Sequence, residues 1–259
     1  MTWENAMNKE RRGEECMYED FKAMVNECDN IVFFGGAGVS TESGIPDFRS
    51  ADTGIYSEKN NYEYPPEVIL SHTFFMEHTE KFYEFYKSKM IYKDAKANNA
   101  HKALARLEEE GKLKAVVTQN VDGLHQMAGS KNVIELHGTI HKNYCLNCSE
   151  AFDLDYVLNS PEIVPKCNKC NGIIKPYVVL YEEPLDSYTI EEAVKYIKNA
   201  QMLIIGGTSL AVYPAAGLVQ YYRGDKLVLI NKSATPYDKN ANLVINDSIG
   251  KVLGSLFED

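Results

Sequence analysis

The chain carries a series of short apolar runs separated by longer and more polar stretches. The runs lie at residues 31–34, 115–117, 133–136, 202–205 and 227–230. Runs of this length with almost no polar alternation are typical of strands that are buried on both faces of a parallel sheet. The pattern therefore predicts a parallel sheet at the centre of the protein.

Helical patterns lie between several of these runs. The clearest begins near Asn98, places Leu104 and Leu107 on one face, and ends at Gly111, a residue suited to a helix C-terminus. The charged residues before position 28 also predict a surface helix. Strands that alternate with helices predict a doubly wound, Rossmann-like α/β fold.

Two segments interrupt this alternation. Residues 51–97 are rich in Tyr, Phe and His and have a mostly helical pattern, whereas residues 141–176 contain four cysteines and little periodic apolar pattern. We interpret both as insertions into a single domain that spans residues 1–259. Together they are expected to form a smaller helical and metal-binding lobe.

The segment 141–176 holds two Cys-x-x-Cys pairs, Cys145 with Cys148 and Cys167 with Cys170, separated by 18 residues. Each pair brings two sulfur atoms within reach of one ion, and four thiolates complete a tetrahedral zinc site with no position left for water. The alternatives are two disulfides or a redox pair. The spacing favours a zinc ion with a structural role, and residues 141–176 are therefore interpreted as a zinc-ribbon insertion.

Composition narrows the classes of function. The chain has 27 Lys and Arg against 37 Asp and Glu, a formal charge of −10, which argues against nucleic-acid binding because phosphate contacts require a basic face. The N-terminal residues lack the apolar segment of a signal peptide, and no apolar run approaches the roughly 20 residues of a membrane span. We therefore expect a soluble cytoplasmic protein with no membrane partner.

The first apolar run ends in a glycine-rich loop at residues 35–44. Glycines there let the backbone approach a diphosphate, whose charge is favoured at the N-terminus of a following helix. A strict Gly-x-Gly-x-x-Gly pattern from Gly36 would require glycine where Thr41 stands. The loop alone leaves nucleotide binding and a plain strand-to-helix turn open.

Polar residues follow two further runs. Gln119, Asn120 and Asp122 come after residues 115–117, and His137 ends the run 133–136. Open α/β sheets bind ligands at the carboxyl ends of their strands, so these positions favour function over a plain turn. The near-neutral pKa of histidine makes His137 a candidate general base.

Taken together and in this order, these motifs resemble those of the sirtuin family of NAD-dependent protein deacylases, of the bacterial type with a single catalytic core. The segments that carry the resemblance are GAGVSTESGIPDFRS (36–50), TQNVDGLHQMAGS (118–130), ELHG (135–138), the two Cys-x-x-Cys pairs, GGTSLAVYPAA (206–216) and the strand that ends at Asn231. The similarity extends from about Tyr18 to the end of the chain.

The resemblance implies a role for individual residues. The diphosphate and nicotinamide ribose of NAD would contact Ala37, Thr41, Phe48 and Arg49. The nicotinamide pocket would consist of Gln119, Asn120, Val121 and Asp122, and the adenosine half would contact Thr208, Ser209, Asn231, Lys232 and the backbone near Ile249.

His137 would be the general base, with Asn120 in the catalytic set. The peptide would lie as an added strand between residues 179–183 (Val179, Leu180, Tyr181 and Glu182) and residues 210–213, which include Val212.

The implied activity is deacetylation of lysine in proteins or peptides by a monomeric enzyme that consumes NAD and holds one structural zinc ion. The acyl oxygen would attack the ribose carbon that bears nicotinamide, and His137 would activate a ribose hydroxyl so that the acetyl group moves to ADP-ribose. An ADP-ribosyltransferase or an NAD hydrolase would use the same pocket. A Rossmann oxidoreductase and a non-catalytic reader of NAD are further alternatives. The incomplete glycine pattern and the cysteine pairs count against the oxidoreductase, and the presence of both Asn120 and His137 favours the deacylase.

Two positions depart from the family pattern. Glu182 stands where sirtuins have a glycine that lets the peptide backbone approach, so peptide preference is expected to differ. The desuccinylase branch has Tyr-x-x-Arg in the aromatic helix, where this chain has Tyr83 and Tyr86. Because the arginine that would pair with an acyl carboxylate is missing, we expect acetyl or longer neutral acyl groups over succinyl.

Overall fold

The computed structural model describes residues 16–48, 54–55 and 63–258 of the chain. The strands are β1 (Ile31–Gly35), β2 (Leu113–Thr118), β3 (Val133–Glu135), β4 (Gly138–Cys145), β5 (Ala151–Asp153), β6 (Ile174–Val178), β7 (Met202–Gly206), β8 (Lys226–Ile230) and β9 (Leu243–Ile245). The helices are α1 (residues 16–26), α2 (Pro66–Ile69), α3 (His72–Glu77), α4 (Thr79–Lys89), α5 (Asn99–Glu109), α6 (Leu124–Ala128), α7 (Leu154–Leu158), α8 (Ser187–Asn199) and α9 (Ile249–Gly254).

Six strands form one parallel sheet in the order β3-β2-β1-β7-β8-β9. The chain builds outward from β1 to β3 on one side and then from β7 to β9 on the other. Gly35 pairs with both Thr118 and Gly206, and Gly206 pairs with Ile230, so four strands end at the same level. The strand order reverses between β1 and β7, and doubly wound sheets bind ligands in the crevice at that point.

The central strands are apolar throughout because both faces of the sheet are covered. Ile31 and Phe33 belong to a core formed with α1, α5 and α9, whereas Val32 and Phe34 belong to a second core with α8 and the 3-10 helix Ala215–Tyr221. Every residue of β1 and β7 is buried. Uninterrupted apolar runs are the sequence signature of such strands.

A smaller lobe contains the antiparallel sheet β5-β4-β6 and the helices α2, α3 and α4. Tyr83 and Tyr86 of α4 are fully buried in a cluster with Ile140 and Ile174 of the small sheet. This sheet starts at Gly138 and ends at Val178, beyond the segment 141–176 on both sides.

The predicted fold class, a doubly wound parallel sheet with a smaller lobe, is confirmed. Within the described ranges, no helix combines the length and apolarity needed to cross a membrane.

The helix expected directly after the glycine loop is not present in residues 36–48. The chain there forms two 3-10 turns, Ala37–Val39 and Thr41–Ser43, joined at Ser40. The second turn ends at Gly44, which has a φ of +82°, and Pro46 disfavours helical geometry at Ile45. Anion binding by a helix N-terminus therefore does not apply to this loop, and its ligand groups are those of the turns themselves.

Candidate active site and thiolate cluster

The loops that follow β1 and β7 lie against each other at the carboxyl edge of the large sheet. The Gly38 amide donates to the carbonyl of Gly207 at 2.8 Å. A Cβ atom on Gly38 would lie 2.8 Å from the Cα of Gly207, and Gly207 itself has a φ of +60°. Both glycines are therefore required by the close approach of the two backbones.

Ser40 joins the two polar side chains that follow β2. Its hydroxyl donates to Asp122 Oδ2 at 2.6 Å and accepts from Asn120 Nδ2 at 3.0 Å. The other carboxylate oxygen of Asp122 accepts from the Leu124 amide at 2.9 Å. Ser40 and Asn120 are both buried. These contacts hold Asn120 and Asp122 in one orientation at the switch point of the sheet.

Gln119 connects this group to the loops after β7 and β8. Its Nε2 donates to Thr208 Oγ1 at 3.0 Å. Thr208 and Asn231 bind each other reciprocally, because the Thr208 amide donates to Asn231 Oδ1 at 3.0 Å and Asn231 Nδ2 donates to the Thr208 carbonyl at 3.1 Å. Residues predicted for the nicotinamide and adenosine halves are thus parts of one continuous edge.

His137 follows β3 and has a defined tautomer. Its Nδ1 lies 2.9 Å from the carbonyl oxygen of Gln119. A carbonyl only accepts, so Nδ1 carries the proton and Nε2 of the neutral ring is left with a lone pair. Burial lowers the pKa of His137, and the hydrogen bond to Gln119 only partly opposes this. The ring is therefore neutral at pH 7, with a nitrogen able to accept a proton.

Two further histidines are buried in the helices next to this edge. The rings of His101 on α5 and His125 on α6 have centroids 4.7 Å apart and a T-shaped arrangement. Burial lowers the pKa of His101 to about 4 and that of His125 to about 3. Among the described residues, His101 Nε2 and both ring nitrogens of His125 have no hydrogen-bond partner. Both rings are accordingly neutral at pH 7.

The other residues predicted to bind NAD lie around the same edge with different exposure. Ala37, Thr41, Phe48 and Val121 are half-buried, and Phe48 and Val121 pack against the apolar cluster of the smaller lobe. Ser209 and Lys232 are exposed. The side chain of Ile249 is buried in the core, so only its backbone is available to a nucleotide. Arg49 lies outside the described residues.

The segment predicted to bind the peptide leads from β6 towards α8. Its first residue, Val179, donates its amide to the carbonyl of His137 at 2.9 Å, which places the segment directly beside the candidate base. Leu180 is buried and Tyr181 is exposed. Glu182 has a φ of +76°, the conformation in which glycine is favoured, and its side chain accepts from the Thr73 amide at 2.9 Å. On the opposite side of the predicted groove, Val212 is half-buried.

Tyr83 and Tyr86, which stand at the two positions of the Tyr-x-x-Arg pair, are both buried in the core. Tyr83 donates its hydroxyl to the carbonyl of Ile174, and the ring of Tyr86 stacks on that of Phe82 with a centroid distance of 5.5 Å. Neither ring is exposed. The preference for neutral acyl groups stays a prediction, and it now rests on the missing arginine alone.

Cys145, Cys148, Cys167 and Cys170 form one cluster, with all four sulfur atoms within 4.8 Å of one another. Sulfur distances of 3.4 Å (Cys145 to Cys170) and 3.6 Å (Cys148 to Cys167) are far too long for disulfides. They are close to the roughly 3.8 Å edge of a tetrahedron with Zn–S bonds of 2.3 Å. The donor set and its geometry fit a structural zinc ion.

Several residues that build these sites were not predicted from the sequence. Ser40 is one, although it lies within the glycine-rich loop; its partners are 80 and 82 residues away, and only the sheet order brings them together. The buried Lys175 is another, and it pairs with Glu183, a residue of the predicted peptide-binding segment whose ionic contact was not foreseen. A lysine in an apolar stretch close to a glutamate is a weak signal, and the sequence does not show that the two charges meet.

The fold and this edge together define an α/β protein of the dinucleotide-binding type with two lobes. The smaller lobe contains the four-thiolate cluster. The model of the Sir2 family matches residues 36–214, most of the chain. The protein therefore belongs to the Sir2 family, as the motifs predicted.

Curated relatives and solved structures agree with this membership. A protein of Clostridium tetani named NAD-dependent protein deacetylase is 64% identical over 93% of this chain and 97% of its own length. A Clostridium acetobutylicum protein of the same name is 66% identical over 90% of this chain and 95% of its own. A structure described as Sir2 bound to an acetylated peptide is 38% identical, with a TM-score of 0.81 over 92% of this chain and 96% of that chain. A Sir2 structure with a p53 peptide and NAD+ is 39% identical, with a TM-score of 0.79 over 92% and 95%.

Proposed function

We propose that the protein is an NAD-dependent protein-lysine deacetylase that acts on acetylated lysine in proteins or peptides. The proposal rests mainly on the protonation state and position of His137. Its protonated Nδ1 is bound to the carbonyl of Gln119, its neutral form is favoured by burial, and the peptide-binding segment begins beside it. The curated relatives that cover nearly the whole chain carry the same activity in their names.

Bound NAD would supply ADP-ribose as the acceptor of the acetyl group, with release of nicotinamide and consumption of one water molecule for each lysine freed. The role of His137 is to accept a proton from a ribose hydroxyl at Nε2, the nitrogen that its hydrogen bond to Gln119 leaves free. Ser40 orients Asn120 and Asp122, which would contact the carboxamide and ribose of NAD. Thr208 and Asn231, with the exposed Ser209 and Lys232, would hold the adenosine half.

The test is product analysis by mass spectrometry with NAD and an acetyl-lysine peptide. We expect nicotinamide, the free-lysine peptide and acetylated ADP-ribose in equal amounts. His137→Ala removes the base and should lower turnover by about 100-fold or more while NAD binding, measured by calorimetry, is kept. His78→Ala, at an exposed histidine between α3 and α4, is the matched control and should retain full turnover.

A succinyl-lysine peptide of the same sequence gives the second arm of this experiment. Acetyl turnover should exceed succinyl turnover, because the described residues around Tyr83 and Tyr86 offer no arginine to a carboxylate. Nicotinamide with plain ADP-ribose and an intact peptide would contradict deacetylation. Full turnover by His137→Ala would contradict the base, and faster succinyl turnover would contradict the acyl preference.

A further inference from the structure

Residues 180–183 form a tight turn between β6 and α8. The amide of Glu183 donates to the carbonyl of Leu180 at 3.0 Å, which closes the turn. Its third residue, Glu182, has a φ of +76°. A positive φ at the third position is typical of a type II turn and is unfavourable for any residue except glycine and, to a lesser degree, asparagine. Other contacts must therefore stabilise Glu182 in this conformation.

The first set of contacts comes from the beginning of α3. Tyr181 pairs with this segment through two backbone hydrogen bonds, from its amide to the Leu70 carbonyl at 3.0 Å and from the His72 amide to its own carbonyl at 2.9 Å. The Glu182 carboxylate accepts from the Thr73 amide, one of the N–H groups that the first turn of a helix leaves unpaired. Hydrogen bonding by the Thr73 side chain, together with that of its amide, lowers the pKa of Glu182, so the side chain is ionised at neutral pH. The left-handed residue is thus bound to α3 through its own side chain.

The second set lies beneath the turn and centres on Glu183. One oxygen, Oε2, accepts from the Leu180 amide at 2.9 Å and from Lys175 Nζ at 3.1 Å, while Oε1 lies 2.9 Å from His72 Nδ1. Lys175 is 4% exposed and also donates to the carbonyl of Val178 at 3.0 Å. Burial lowers the pKa of Lys175, and the nearby carboxylate of Glu183 opposes this. Both oxygens of Glu183 are used, and one of them holds the first residue of the turn.

We propose that Glu182, Glu183 and Lys175 are positioning residues for the acyl-lysine peptide, because they hold residues 179–183 in a single binding-ready conformation. One end of this segment is bound to the His137 carbonyl through Val179, and the other end is held by the two glutamates. A segment ordered before the peptide arrives loses less conformational entropy on binding. The inference rests on the proposed function and adds to it the residues that determine peptide affinity.

The experiment compares three variants at the exposed position 182. Glu182→Ala removes the contact with Thr73 and keeps a side chain that disfavours positive φ, so we expect peptide Kd to rise about fivefold, as for loss of a helix cap. Glu182→Gln keeps an acceptor oxygen and should restore most of the affinity. Glu182→Gly accepts the positive φ without the cap and should lie between them. Kd for NAD should stay unchanged in all three.

Glu183→Gln tests the buried side of the network and should raise peptide Kd about tenfold, because Lys175 loses a charged partner. Since this variant also reduces stability, its fold is checked by thermal unfolding, and the Glu182 series stands independently of it. Glu192→Ala removes an exposed negative charge from α8 and is the control, with peptide Kd expected to match that of the unmodified protein.

Peptide affinity is measured by fluorescence anisotropy with a labelled acetyl-lysine peptide, without NAD, so that it does not depend on turnover. An equal rise in Kd for Glu182→Gln and Glu182→Ala would show an effect of charge and would overturn the positioning role. Equal affinity in the unmodified protein and Glu182→Ala would overturn it as well. Binding without turnover would contradict only the proposed function, whereas absence of binding would contradict both.

Discussion

The four-thiolate cluster and the carboxyl edge of the large sheet reach their geometry in different ways. The cluster consists of two nearly identical local turns. In each, an amide donates to the first sulfur at 3.4 Å, from Asn147 to Cys145 and from Lys169 to Cys167. The residue after each pair, Ser149 or Asn171, has a φ of 59° or 58°. Here the short Cys-x-x-Cys motif determines almost all of the local geometry.

The edge of the sheet has no such local unit. Its contacts join residues that are distant in sequence, since 82 residues separate Ser40 from Asp122 and 89 separate Gln119 from Thr208. Strand order and register bring them together. The two regions should therefore respond differently to substitution: damage to the cluster should affect folding, and damage at the edge should affect catalysis with the fold retained.

Cys145→Ser should have the largest effect. A structural zinc site contributes on the order of 10 kcal/mol of binding free energy, comparable with the whole stability of a typical domain, so loss of one ligand should unfold the smaller lobe. Zinc content by mass spectrometry should fall from one ion per chain to near zero, with early thermal unfolding. Cys16→Ser, at an exposed cysteine away from the cluster, is the control and should keep both properties. A folded Cys145→Ser protein that retains zinc would contradict the structural role.

The same difference explains what the sequence could and could not predict. The runs that became β1 and β7 were predicted because a strand buried on both faces has an uninterrupted apolar pattern. The four cysteines were assigned from spacing alone, and they do form one cluster. By contrast, β9 and the individual strands of the small sheet were not located, because β9 has only three residues and β4, although largely buried, is rich in polar residues and has no apolar run.

At the site, the sequence indicated the positions but not the contacts. The resemblance placed Asn120, Asp122 and His137 in one site, yet nothing in the sequence showed that Ser40 holds the first two. Glu182 was expected to alter peptide preference because it replaces a glycine, and this stays a prediction. The sequence did not show that its carboxylate is bound to the backbone of α3, a contact that depends on the packing of the smaller lobe on residues 179–183.

After the loss of the base in His137→Ala, Ser40→Ala should have the next largest effect at the edge of the sheet and should act on catalysis. It leaves Asn120 Nδ2 and one oxygen of Asp122 without their partner, and an unpaired buried polar group costs about 1–3 kcal/mol. We expect kcat/KM for NAD at saturating peptide to fall by about 30-fold, the equivalent of roughly 2 kcal/mol. Zinc content should stay at one ion per chain.

Ser43→Ala is the matched control in the same loop. The Ser43 hydroxyl accepts from Asn98 Nδ2 at 3.0 Å and has no contact with Asn120 or Asp122 in the described structure. Its kcat/KM for NAD should change by less than about threefold, as for a typical surface-proximal hydrogen bond. If the two serine variants lost the same activity, the effect would belong to the loop as a whole, and the orienting role of Ser40 would be wrong.

The smallest expected effect concerns the acid stability of the larger lobe, through His101 and His125. Their pKa values of about 4 and about 3 in the folded protein lie below the ordinary value of 6.5. Between these values and pH 6.5, the unfolded chain therefore binds protons that the folded chain does not bind. Their contribution to stability is therefore complete above pH 6.5 and decreases as the pH falls towards 4. Between pH 7 and pH 5.5 the loss should be roughly 1 kcal/mol per histidine.

This loss is measured as the free energy of unfolding in urea at the two pH values, with zinc content monitored at both. For His125→Leu the decrease between pH 7 and pH 5.5 should be smaller by about 1 kcal/mol because one titrating ring is gone. His78→Ala, which removes an exposed histidine, should leave the decrease unchanged. If His125→Leu showed the same decrease as the unmodified protein with zinc still bound, the buried pair would not be the source of acid sensitivity, and that sensitivity would have to lie in other titrating groups.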